Sequence, residues 1–204
     1  MKSGSVRDAF THAHRTPDVV ALDTRTTLSI AGVGDPNAED FQRAIGTLFS
    51  VAFTLKFQRR AQRLSDFVVG PLDGEWTIEG PERPFLQIPR GDWHWALRLT
   101  IPDDVTDDQV TEAMRTASRR RGATPEGTKM MARVRREIVP AGRFGRVLHV
   151  GPYTEEERSF ATLEKYLLEH GDVRLNGHLE VYLSDPQRTA PDKLKTTLLV
   201  RLID

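Results

Sequence analysis

Cysteine is absent from the 204 residues. That excludes disulfides, thiolate metal sites, iron–sulfur clusters and a cysteine nucleophile, and it fits a reducing compartment. An excess of either charge is absent too. Lys+Arg and Asp+Glu both count 29, so the formal net charge is zero and a basic nucleic-acid coat is excluded as a whole-protein property. No run approaches the roughly 18 apolar residues of a membrane span. The opening stretch MKSGSVRDAF has no apolar core of a secretory signal. The expectation is a soluble, cytoplasmic protein. Motifs are missing as well. There is no HExxH, no EF-hand loop and no GxSxG elbow. Gly32-Val33-Gly34 follows a strand-like run but lacks the third glycine and the acidic follow-up of a dinucleotide fingerprint.

What is present reads as mixed helix and strand. Residues 1–20 are polar and aperiodic, which predicts a loose N-terminal arm. β-Branched residues at 24–31 predict a strand. Asp35-Pro36 then opens a long helix whose apolar stripe is Phe41, Ala44, Ile45, Leu48, Phe49, Ala52 and Leu55. Residues 66–70 and 93–101 read as strands, with Pro71, Gly74 and Gly80 breaking the stretch between them. Thr106 and Gln109 form a capping box for a helix that Gly122 stops. Residues 133–139 and 144–150 read as a strand pair turned at Ala141-Gly142. Thr154 and Glu157 form a second capping box, and 178–184 and 196–203 read as the last strands.

Element order then suggests duplication. Residues 24–101 give strand, helix, strand, strand, and 144–204 repeat that order, with 102–143 as a connecting helix and strand. The predicted fold is α+β: one domain over 21–204, pseudo-twofold, with duplicated strand–helix–strand–strand units and an antiparallel sheet. The helices are expected to cover one sheet face.

Four features bear on chemistry. In His178-Leu179-Glu180-Val181-Tyr182-Leu183 the leucines and Val181 share one strand face, and His178, Glu180 and Tyr182 share the other. That polar face is either solvated or the lining of a cavity. In a cavity, poor dielectric would suit Glu180 to cation capture or proton transfer. Trp76, Trp93 and Trp95 fall within twenty residues and either line a site for a planar ligand or form an aromatic core cluster. Tyr153 stands where a strand, a Gly-Pro turn and a helix meet. Glu155, Glu156 and Glu157 beside it read as first-turn acids that complement the helix dipole rather than as metal ligands. Finally, residues 113–146 hold ten Arg or Lys against two acids, including Arg133, Arg135 and Arg136. Without aromatic interleaving this reads as a solvated face rather than a nucleic-acid site.

Pro71-Leu72-Asp73-Gly74-Glu75-Trp76, Leu148-His149-Val150-Gly151-Pro152-Tyr153, His178 through Pro186 and Leu194-Lys195-Thr196-Thr197 together resemble the GyrI-like small-molecule-binding family. The similarity is to its stand-alone members and runs from about residue 20. The resemblance implies a duplicated fold around a central ligand cleft that takes planar hydrophobic or cationic molecules. It implies Glu180 in that cleft. Some stand-alone members are hydrolases that open the cyclopropane of planar DNA-alkylating compounds. For such a reaction the resemblance implies Glu180 and Tyr153 as catalytic groups. Trp76, Trp93, Trp95, Tyr182 and His178 would bind the ligand, and no metal or cofactor would be needed. The alternative it leaves is a non-catalytic drug-sequestering module, or a modulator of a regulator or of gyrase. Neither reading calls for direct nucleic-acid or membrane contact.

Overall fold

The computed structural model describes residues 6–79, 88–121 and 124–203; Gly80 and Gly122 lie outside them. In chain order the elements are α1 (Val6–Thr11), β1 (Asp18–Leu22), β2 (Arg25–Val33), α2 (Glu39–Ala61), β3 (Leu72–Thr77), β4 (His94–Thr100), α3 (Asp107–Arg121), α4 (Pro125–Met131), β5 (Arg135–Val139), β6 (Gly142–Val150), α5 (Glu156–Glu169), β7 (His178–Tyr182) and β8 (Lys195–Arg201). The fold is α+β with antiparallel strand pairing. The order β2–α2–β3–β4 recurs as β6–α5–β7–β8, the strand–helix–strand–strand repeat expected from the sequence.

The chain forms two compact units that do not follow the repeat boundaries. The first comprises residues 1–24, 71–77 and 140–204, and the second 25–70 and 78–139. In the first, β6 pairs with β1 and β8, β8 with β7, and β7 with β3. Thus β3, from the middle of the chain, is built against β7 from its end. Gly177 makes this possible. It has φ +86°, and a Cβ there would stand 2.7 Å from the Trp76 carbonyl oxygen.

Both faces of this sheet are covered. On one, Leu163 and Leu167 of α5 pack on Val147, Leu198 and Val200. Gly145 permits this approach, since a Cβ on it would come within 2.8 Å of Leu167. On the other, Ala9 and Phe10 of α1 join Leu22, Phe144, Leu179, Val181 and Leu199. Two expectations are corrected here. Residues 6–20, expected as a loose arm, hold a helix and a strand: Phe10 is 2% exposed, and Thr197 Oγ1 donates to its carbonyl oxygen at 2.7 Å. Helices also occupy both faces rather than one, because Phe10 supplies an apolar contact that the alternating strands need on each side.

In the second unit, β2 pairs with β4 and β5. α2 buries Phe41, Ala44, Leu48, Val51, Ala52 and Leu55, close to the expected stripe. Its C-terminal turn buries Arg59, whose guanidinium binds Asp104, Ser65 and Gln109. The Thr106–Gln109 capping box forms reciprocally, at 3.2 and 3.3 Å. Other local expectations shift. α2 starts at Glu39, not Pro36, because Asp35 Oδ1 accepts from the Asn37 amide and closes a separate turn. Residues 66–70 are not a strand; the strand is 72–77. β5 and β6 do not form the expected hairpin, because β5 pairs with β2 and β6 with β1 and β8.

Candidate functional site

In the first unit, β7 presents His178, Glu180 and Tyr182 on the face that α5 covers. The register sets Trp76 opposite His178 and Gly74 opposite Glu180 on β3. On β8, Leu198 lies opposite Glu180 and Thr196 opposite Tyr182. Gly74 has no side chain, so no β3 side chain stands at the register position directly opposite Glu180. The face is therefore not a plain solvated one. The side chains of His178 and Glu180 are each only 12% exposed.

Glu180 is held at both oxygens. His178 Nε2 lies 2.9 Å from Oε1, and the Tyr182 hydroxyl donates to Oε2 at 2.8 Å. Residues i and i+2 share a strand face, so three consecutive same-face positions form this chain of contacts without help from a loop. Burial pushes the Tyr182 hydroxyl well above its usual pKa, and the neighbouring Glu180 charge adds to this; Tyr182 stays a donor. Aromatic edges wall the group. Tyr153 meets Tyr182 edge to face at 5.9 Å, and Phe160 of α5 meets His178 at 4.8 Å.

The turn between β6 and α5 supplies the rest. His149, at the end of β6, is fully buried. Its Nε2 donates to the Pro152 carbonyl oxygen at 3.2 Å, which leaves Nδ1 to accept from Ser159 at 2.9 Å. Burial holds its pKa below the usual value, in keeping with a neutral ring. His149 thus ties the Gly151-Pro152 turn to α5. A short 3-10 turn over Tyr153–Glu155 follows, with Tyr153 40% exposed. Burial, and then the Glu156 and Glu180 charges, push the Tyr153 hydroxyl up to about 12.

Sequence reasoning passed over Glu156. The expected capping box at Thr154 and Glu157 gives way to a start at Glu156, with no side-chain cap on Glu155. The 3-10 turn rotates the helix entry, and Glu156 turns inward rather than toward solvent. It is 7% exposed, and its Oε1 is buried without a hydrogen-bond partner. Desolvation raises its pKa to about 9. The Glu180 charge adds to this, and the neighbouring Thr196 hydroxyl pulls by less the other way. The sequence signal was faint: one more glutamate in an acidic first turn.

The tryptophans are divided. Trp76 is 3% exposed and belongs to the first unit beside Tyr182 and His178. Trp93 and Trp95 belong to the second. Trp93 lies in the turn before β4, its Nε1 donating to Ile88 at 3.1 Å, with Arg90 over its ring. Trp95 is buried, 5.2 Å from Phe41 edge to face and under Arg133. It also explains Gly32, where a Cβ would come 2.4 Å from the indole, so that glycine serves packing. The basic middle is likewise engaged. Arg133 pairs with Asp40, and Arg136 donates to Val105. Among the described residues no cluster of His, Asp and Glu is arranged to hold a metal, and no helix is long and apolar enough to cross a membrane.

The sequence model of the GyrI-like small molecule binding domain matches residues 105–203, a stretch that includes β7, α5 and the whole Tyr153–Glu156–Glu180 group. Solved structures are similar to nearly the whole chain. An uncharacterized conserved protein from Listeria innocua is 29% identical, with a TM-score of 0.83, over 94% of each chain. A hydrolase from Listeria innocua is 27% identical, with a TM-score of 0.82, over 95% of this chain and 94% of that one. Another hydrolase from the same organism is 26% identical, with a TM-score of 0.79, over 94% and 93%. No curated protein matches the chain.

Proposed function

We propose that the protein binds a planar hydrophobic or cationic small molecule and hydrolyses it, opening the cyclopropane ring of planar DNA-alkylating compounds. The observation that carries this reading is Glu180, a little-exposed carboxylate gripped by His178 and Tyr182 behind aromatic edges. Two of the solved structures similar to this chain are described as hydrolases, which supports the reaction class.

In such a substrate the strained ring is conjugated to a dienone carbonyl. Hydrogen bonding to that carbonyl makes the ring CH₂ electrophilic, because opening yields a phenol. Glu180 orients a water and takes its proton during attack on the CH₂. Tyr153 stands at the exposed rim beside Tyr182, and its hydroxyl, kept protonated, donates to the carbonyl. Trp76 and Tyr182 offer flat surface on the same sheet face. Strain comes from the substrate, so no metal or cofactor takes part.

A second reading, a drug-sequestering module or a modulator of a regulator or gyrase, draws on the same carboxylate. A buried anion walled by aromatic rings attracts a planar cation without any reaction. Incubation with a cyclopropane alkylator, followed by mass spectrometry, separates the two. The hydrolase gives many equivalents of the water adduct per chain, whereas a sequestering protein saturates at one equivalent of unchanged compound. Glu180→Gln keeps size but cannot accept a proton, and turnover is expected to fall roughly 10²–10⁴-fold. Wild-type turnover in that variant would overturn the assignment of the base. Tyr153→Phe is expected to give a smaller loss, because water replaces part of the hydroxyl's hydrogen bonding.

A further inference from the structure

We propose that Glu156 is a second working carboxyl of this site, forming with Glu180 a pair that holds one proton and one negative charge, and that the proton on Glu156 is delivered to the substrate oxygen. This deepens the hydrolase reading and rests on it only for the delivery step.

Placement is the first argument. Glu156 and Glu180 come from different elements, the first turn of α5 and the middle of β7, yet the Glu180 carboxylate is a direct side-chain neighbour of Glu156, with Thr196 of β8 beside them. Glu156 is more than nine-tenths buried, and one of its oxygens meets no partner. An ionised carboxylate in that position would be a desolvated anion beside a second anion. Two carboxylates in one poorly hydrated site do not both ionise near neutrality.

The surrounding charges decide which one keeps the proton. On β7, His178 and Tyr182 are both spent on Glu180. On β8, Thr196 is neutral. On β6, His149 is occupied by Ser159 and Pro152. The 3-10 turn offers Tyr153 and Glu155, and Asp185 beyond β7 adds negative charge near Tyr153. Arg158, on α5 itself, is directed to Glu155 and the Val150 carbonyl oxygen. Glu180 therefore has two donors and carries the charge, and Glu156 carries the proton. The raised pKa of Glu156 agrees with this division.

The step balances. A water oxygen bonds to the ring CH₂ as the cyclopropane C–C bond breaks, and its proton goes to Glu180. The released electron pair moves through the ring onto the carbonyl oxygen, which takes the proton from Glu156 and becomes a phenol. Glu180 then returns its proton to Glu156, and the pair is restored with one water consumed.

Difference infrared spectroscopy on the full chain tests the pair without any substrate. Wild type is expected to show a protonated-carboxyl C=O stretch at pH 7 that is absent from Glu156→Gln. In Glu180→Gln the band's pH midpoint moves toward acid, because the neighbouring charge is gone. A wild type without the band, or a Glu156→Gln variant that keeps it, overturns the pair. Kinetics test the delivery. Glu156→Gln is expected to lower kcat roughly 10²–10⁴-fold with KM little changed, and unchanged turnover overturns the delivery step. A wild type that shows the band but hydrolyses no cyclopropane alkylator retains the pair and sinks both the hydrolase reading and the delivery step that rests on it.

Discussion

Glu156 and His149 pull the stability of the first unit in opposite directions as pH changes. Glu156 is protonated in the folded chain up to about 9 but, once unfolded, only up to its ordinary 4.5. The folded state thus binds more protons between those values, and stability falls as pH rises through them. Glu156→Gln removes that loss. Its unfolding free energy at pH 8 is expected to exceed wild type by at least about 1.4 kcal/mol, the worth of one pKa unit, and to match it near pH 4. Urea unfolding at both pH values checks this; equal stability at pH 8 would show that burial does not strain the carboxyl. His149 has the reverse sign. Its folded pKa lies below 6.5, so the folded state binds fewer protons and stability is lost as pH falls below 6.5. His149→Gln, which keeps a donor for the Pro152 carbonyl oxygen, is expected to lessen that acid loss. A carboxyl retained against stability is what a working site exhibits.

Among the elements, those with strong periodicity were legible and those made by pairing were not. The alternation of residues 178–182 announced both the Leu179–Val181 core face and the His178–Glu180–Tyr182 face, because a strand exposes its period directly. β3 was hidden. Leu72-Asp73-Gly74-Glu75-Trp76-Thr77 contains Gly and Asp, poor strand formers, and becomes a strand by pairing with β7, over one hundred residues away. Glu180 was legible for the first reason, and Glu156 was missed because helix entry depends on a 3-10 turn that local sequence does not specify. The fit of α5 on β6 then decides where Tyr153 and Glu156 stand. Gly145→Ala places a methyl within 3.0 Å of Leu167 and presses α5 outward. The expected loss is about 1–3 kcal/mol, as for overpacking elsewhere. Weaker ligand binding should accompany it, read by quenching of Trp76 fluorescence. A variant with lower stability but unchanged affinity would show that α5 does not set the site's geometry.

Over the whole molecule, the first unit gathers three stretches of chain, 1–24, 71–77 and 140–204. The first of them bears weight that its composition does not advertise. Its opening residues are mostly polar, and only Val6, Ala9 and Phe10 give α1 an apolar side, too short a run to stand out as periodic. Phe10 nevertheless packs with Leu179 and Val181, the two residues whose alternation sends Glu180 to the other face. The Arg146 guanidinium binds both the Ala9 carbonyl oxygen and Asp18, fixing the same stretch to β6. Phe10→Ala is therefore expected to destabilise the protein by roughly 3–5 kcal/mol, the usual loss for a buried phenylalanine. Against a total stability of about 5–15 kcal/mol that is a large share. In urea the midpoint should fall with an unchanged slope, since the surface exposed on unfolding is nearly the same. A loose arm would give a change within about 0.5 kcal/mol, as at an ordinary surface position. Below its melting temperature the variant should still bind ligand with near wild-type affinity, because Phe10 supports the back of β7 while Glu180, Tyr182 and His178 lie on the front. Loss of binding in a variant that remains folded would mean that the two faces of β7 are coupled, and that α1 helps to set the site.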